Sequence, residues 1–117
     1  MNLTRLGSDE RRMHHRYSEP LFEARISESP FVTQDWSLGG MLMRGLPSAV
    51  QELDSEQEIS GSIDLGEGLG IVEFTGRIVR SDPDRGQLAI AFARLSGQQL
   101  DQFAKVFKAF RLPRSIH

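Results

Sequence analysis

Apolar and polar residues alternate with period two over most of the chain, which is the pattern of strands with one face turned to a core. From Pro20, the run Leu21-Phe22-Glu23-Ala24-Arg25-Ile26 reads as a strand, and Ser27-Glu28-Ser29-Pro30 supplies turn chemistry after it. Phe31-Val32-Thr33-Gln34 is a second strand, running into Asp35-Trp36-Ser37-Leu38-Gly39-Gly40, where two glycines open backbone angles closed to other residues. Met41-Leu42-Met43 resumes extended apolar character, and a loop follows at Gly45, Pro47 and Ser48. Glu58 to Leu65 places Ile59, Ile63 and Leu65 on one face, with Gly61 between them as a candidate bulge. Gly66-Glu67-Gly68-Leu69-Gly70 connects this strand to a long one from Ile71 to Arg80. Asp82-Pro83-Asp84-Arg85-Gly86 then turns the chain into a returning strand, Leu88 to Phe92.

The period changes only near the end. Leu100, Phe103, Ala104, Phe107 and Phe110 recur at steps of three and four, gathering on one helical face. Ser96 and Gln99 match a capping box, and Pro113 stops the pattern. About six short strands followed by one amphipathic helix predict an all-β fold, a six-stranded antiparallel barrel with the helix on its surface or across one mouth. Residues 1–19 are polar and show no sustained period, so they are expected to form a flexible N-terminal arm, with barrel and helix spanning 20–112 as a single domain.

Composition narrows the function classes. At 117 residues, 38% of them apolar, the chain supports one core and not two. No cysteine is present, so neither a disulfide framework nor a thiolate metal site is available. The start lacks the apolar run of a signal peptide, and no stretch approaches a membrane span. A cytoplasmic protein with no membrane insertion is the expectation.

A net charge of -2 argues against general binding to DNA or RNA, because that affinity comes mainly from clustered cations displacing counterions. The distribution is more telling. Val50 to Thr75 carries seven acidic residues and no Lys or Arg, whereas Arg11, Arg12 and Arg16 crowd near the N-terminus. A local anion site in an acidic protein points to a small charged ligand rather than a long strand. Lys105 and Lys108 are the only lysines, and arginine suits planar, bidentate recognition of a phosphate or a base edge.

Two segments carry the candidate chemistry. Arg12 and Arg16 form an R-x-x-x-R spacing; in a helical turn they share a face, and in a loop they close like two fingers, either way clamping a phosphate or the O6 and N7 edge of guanine. Alone, the spacing recurs by chance in many chains. Asp35-x-Ser37-x-x-Gly40 lies where a strand runs into a glycine turn. A carboxylate there can accept from the N1 and N2 donors of guanine, a serine hydroxyl can satisfy a backbone or phosphate oxygen, and Gly40 lets a ligand approach the main chain. By itself this is also an ordinary turn.

The order and separation of the two segments, joined by one strand hairpin, resemble the signature of the PilZ family, bacterial cyclic di-GMP receptor domains. The resemblance covers nearly the whole chain, and both motifs match without substitution. It implies a six-stranded barrel with a C-terminal helix. It further implies that Arg12 and Arg16 sit on an arm that folds over the ligand, while Asp35, Ser37 and Gly40 line the barrel side. A cation just before the arginine motif, here Arg11, goes in that family with two stacked, intercalated nucleotides; Arg11 could equally pair with Asp9 or Glu10 in solvent.

Rival readings are weaker. His14 and His15 are adjacent and diverge, so they cannot chelate one metal; no metal and no cofactor is expected beyond the nucleotide ligand. Gly66, Gly68 and Gly70 lack phosphate-loop spacing, and Asp82 and Asp84 lack the further oxygens of a calcium loop. Trp36 either stacks on a base or plugs the barrel. No nucleophile, base and acid set is evident, so catalysis is not expected.

The resulting expectation is a receptor whose arginine arm is loose without ligand and clamps the dianionic nucleotide on arrival. Charge-assisted contacts of roughly 1.5–3 kcal/mol each, less the ordering cost of the arm, leave micromolar or tighter binding. The changed surface would signal to a partner protein in trans. The alternative is an interaction adaptor of the same fold that needs no nucleotide.

Overall fold

The computed structural model describes residues 16–110. Six antiparallel strands close into a barrel: β1 (Glu23–Ile26), β2 (Ser29–Ser37), β3 (Gly40–Gly45), β4 (Glu58–Asp64), β5 (Ile71–Asp82) and β6 (Gln87–Phe92), in the spatial order β1-β2-β3-β6-β5-β4. Closure comes from β1 pairing with β4, for example Ala24 opposite Ile63. A closed sheet leaves no unpaired edge, so strands as short as the four residues of β1 are held on both sides.

Period-two alternation sends Ala24, Ile26, Phe31, Met41, Met43, Ile59, Ile63, Val72, Phe74, Ile78, Leu88 and Ile90 inward, all of them buried. Two helices complete the core. The short α1 (Pro47–Gln51) occupies the stretch expected as a loop; Pro47 stands in its first turn, and Val50, with Leu53 just beyond, is buried. The C-terminal α2 (Gly97–Ala109) begins with the expected capping box between Ser96 and Gln99.

The buried face of α2 differs from the expected stripe. Phe103, Val106 and Phe107 face the barrel, whereas Leu100 and Phe110 are exposed at 42% and 48%. The buried arc is displaced from the expected stripe toward Val106, which leaves Leu100 at its edge, and Phe110 lies past the end of the helix at its C-cap. Gln102 and Gln99 donate from their side chains to the carbonyls of Ile71 and Glu73, fixing the helix against β5.

Gly61 forms no bulge, because the β1–β4 and β4–β5 registers run through it unbroken. A Cβ there would lie 2.4 Å from the Arg25 carbonyl and 2.8 Å from the Phe74 ring, so glycine is needed for close strand and ring approach. The register breaks elsewhere, between Thr33 and Asp35 in β2 and between Ile78 and Arg80 in β5. Between β5 and β6, a 3₁₀ turn over Pro83–Arg85 ends on Gly86 in the left-handed region, and Asp82 Oδ1 accepts from the Arg85 amide. Among the described residues no helix is long and apolar enough to cross a membrane.

Candidate functional site

The segment entering the barrel is tied to β2 at one point. Tyr17 and Trp36 exchange two backbone hydrogen bonds, Tyr17 N–H to the Trp36 carbonyl at 2.8 Å and Trp36 N–H to the Tyr17 carbonyl at 2.9 Å. Their rings pack at a centroid separation of 4.7 Å, and Phe107 of α2 lies against both. The bridge is antiparallel, which sets Arg16 across from Ser37, and the long Arg16 side chain reaches diagonally to Asp35, one residue before Trp36.

Arg16 donates from Nε to Asp35 Oδ1 at 2.9 Å, and its terminal nitrogen reaches the same oxygen. Both bonds end on Oδ1, so Oδ2 lies outside the pair. Arg16 and Asp35 are 41% and 31% exposed along their side chains, which puts the pair at the barrel surface within reach of a ligand. An ion pair this exposed contributes only ~0.2–1 kcal/mol. It positions the two groups more than it stabilises the fold.

Asp35 owes its outward aim to the bulge. Thr33 points inward, 1% exposed, and its hydroxyl accepts from the Phe22 amide at 2.8 Å. Strict alternation would then turn Asp35 inward as well. The extra residue, Gln34, shifts the pattern by one, so that Asp35 faces solvent and Trp36 enters the core. Trp36 is therefore a barrel plug: it is 1% exposed, packs on Phe22 and Phe103, and donates from Nε1 to the Pro20 carbonyl at 3.0 Å. The strand continues through Ser37, so Asp35 lies on a strand and only Leu38 and Gly39 separate β2 from β3.

Ser37 is buried, and its Oγ accepts from the Gly39 amide at 3.0 Å, closing the turn. Gly40 is required within the sheet, since a Cβ would sit 2.1 Å from the Ile90 carbonyl of β6. Both residues thus shape the turn that carries Asp35. Arg11 and Arg12, and with them His14 and His15, lie outside the described residues.

Sequence reasoning missed Tyr17, whose anchoring places Arg16. The signal was an aromatic residue directly after the last arginine. It also missed a side-chain bond from Gln87 Nε2 of β6 to Gln34 Oε1, 3.0 Å long, which crosses over β3 beside Asp35. Among the described residues no group of three metal-ligating side chains is present.

Comparison with known proteins agrees with this fold. The PilZ domain family model matches residues 10–108, a span that holds both motifs, the barrel and most of α2. Comparison with curated proteins gives no match. Among solved structures, the PilZ domain of Escherichia coli YcgR with c-di-GMP is similar at a TM-score of 0.63 and 18% identity, over 84% of this chain and 89% of that one. Bacillus subtilis MotI/DgrA, an inhibitor of motility, gives 0.61 and 20% identity over 86% of this chain and 50% of that one. The PilZ domain of CeSA from a cellulose-synthesizing bacterium gives 0.54 and 19%, over 84% and 97%. At these identities the likeness is one of fold.

Proposed function

The chain belongs to the PilZ domain family, and on that premise we propose that it is a receptor for cyclic di-GMP. The observation that carries this reading is the contact between Arg16 and Asp35, the last residue of the arginine motif and the first of the D-x-S-x-x-G motif. One residue of each motif, the two separated in sequence by a strand hairpin, thereby stands on one surface, with a guanidinium and a carboxylate side by side. Guanine needs a carboxylate for its N1 and N2 donors, and the phosphates need guanidinium groups. One of the similar structures, the PilZ domain of YcgR, was solved with that nucleotide.

In this mechanism Asp35 keeps Arg16 on Oδ1 while Oδ2 accepts from guanine. Arg16, with Arg12 and Arg11 from the preceding segment, takes the phosphates. Ser37 and Gly40 act through the backbone, holding the turn and the β3–β6 contact that set the direction of Asp35. Ligand bound between segment 1–19 and barrel creates a composite surface, and a partner protein reading that surface in trans provides the output.

Titration calorimetry with cyclic di-GMP tests the assignment. The intact chain is expected to bind at micromolar concentration or tighter, about -8 kcal/mol. Arg12→Ala, Arg16→Ala and Asp35→Ala should each weaken it by at least about tenfold, the loss of one charge-assisted contact. Unchanged affinity in all three variants would place the site elsewhere.

A further inference from the structure

The register of the barrel extends the candidate site well beyond its two motifs. Asp35 of β2 stands opposite Leu42 of β3, Leu42 opposite Ala89 of β6, and Ala89 opposite Arg80 of β5. These four residues form one row across four strands. Their sequence neighbours Trp36, Met41, Met43, Leu88 and Ile90 are buried, so the row lies on the outer face. At about 4.8 Å per strand, the row is about 14 Å long. It has an acidic residue at one end, paired to Arg16, and an arginine at the other.

Both ends are aimed by an irregularity. As the bulge at Gln34 turns Asp35 outward, the second register break, at Val79, does the same for Arg80. Ile78 is fully buried, and plain alternation would bury Arg80 too. The extra residue puts Arg80 outside with Ala89, while Ser81 turns in and donates to the Val50 carbonyl at 3.1 Å. Bulges recur beside binding sites because they re-aim a side chain. Here two of them, on strands three apart, deliver opposite charges to one row.

The ground between the ends is low and apolar. Leu42 and Ala89 are half-buried, and Ala91, two residues beyond Ala89, pairs with Gly40. Arg80 itself is exposed, with no hydrogen bond or ion pair to another described residue. Arg77, on the same strand, is engaged: it lies 3.6 Å from Glu56 and opposite Glu58.

We propose that the nucleotide platform runs from Asp35 across Leu42 and Ala89 to Arg80, and that Arg80 is a ligand-binding residue closing the site from the side opposite Arg16. This deepens the receptor reading and rests on it. A dianionic cyclic dinucleotide lying flat on this floor meets Arg16 at one edge and Arg80 at the other, where the guanidinium takes a phosphate or stacks on the second purine.

The test is calorimetric titration of cyclic di-GMP into the full chain and four variants, with urea unfolding confirming that each is folded. Arg80→Ala should weaken binding at least about tenfold, and Arg80→Lys should recover part of that loss, since ammonium keeps the charge without the plane. Ala89→Glu, which sets a carboxylate on the floor, should lower affinity as much or more. Lys108→Ala, an equal loss of charge on α2, should leave affinity within twofold. Binding by the intact chain with Arg80→Ala within twofold of it overturns this inference while the receptor reading stands. Absence of binding by the intact chain removes both.

Discussion

Tyr17 and Trp36 grip each other through main chain and ring at once, with two backbone hydrogen bonds and ring centroids 4.7 Å apart. The antiparallel bridge anchors the arginine segment beside β2, close enough for the Arg16 side chain to reach diagonally to Asp35. The ion pair at the surface is thus positioned by aromatic packing beneath it.

Truncating Tyr17 should therefore damage both layers. Tyr17→Ala removes a ring that is 5% exposed and packed at a tilt against Trp36 and Phe107, a loss of about 3 kcal/mol by analogy with other buried aromatic truncations. For a domain of this size each kcal/mol lowers Tm by about 4–8 °C. Affinity for cyclic di-GMP should fall with it even below the transition, because Arg16 no longer has a fixed register. A variant with full affinity at low temperature would show that the bridge does not position Arg16.

Asp35→Asn should separate binding from folding. The Arg16–Asp35 pair is substantially exposed, so its loss should move stability by no more than ~1 kcal/mol in urea unfolding. Binding should weaken at least about tenfold, since an amide replaces an ionised acceptor. Large destabilisation with unchanged affinity is the opposite outcome and would mark the pair as structural.

The barrel was legible because inward apolar residues repeat every second position through β1, β4 and most of β5, and the turns carry glycine and proline where the chain reverses. The two bulges were not. A bulge shifts alternation by one residue and leaves no residue type as its mark, so the outward aim of Asp35 and Arg80 emerges only from pairing with β3 and β6. The α1 helix escaped because five residues cannot show a helical period. Val106 escaped because the buried arc of α2 is displaced toward it from the stripe that the periodicity marks out. Of the site, the residue types were plain from their spacing; their arrangement depended on Tyr17, whose partner lies 19 positions away in sequence.

Gly40 offers a test of which role its lack of a side chain serves. In Gly40→Ala the new Cβ would lie 2.1 Å from the Ile90 carbonyl, a backbone atom that cannot swing aside. Strand β3 must move from β6, and overpacking of this kind costs about 1–3 kcal/mol. Urea unfolding without nucleotide should register that loss. Wild-type stability combined with weakened binding would instead assign Gly40 to ligand approach.

The two apolar faces of α2 should respond in opposite ways. Phe103 is 1% exposed and packs on Trp36 and Phe92, so Phe103→Ala should cost about 3–5 kcal/mol. Because Trp36 carries Asp35 on its N-terminal side, loosening the ring stack should also weaken nucleotide binding. Leu100 stands on the same helix at a position the periodicity had assigned to the core, yet it is 42% exposed. Leu and Ala have similar helix propensity, so Leu100→Ala should change stability by less than about 0.5 kcal/mol. Urea midpoints for the two variants, measured side by side, decide the matter. Comparable losses at both positions would mean that α2 is rotated in solution toward the full apolar stripe, and that the packing of Trp36 against Phe103 needs revision with it.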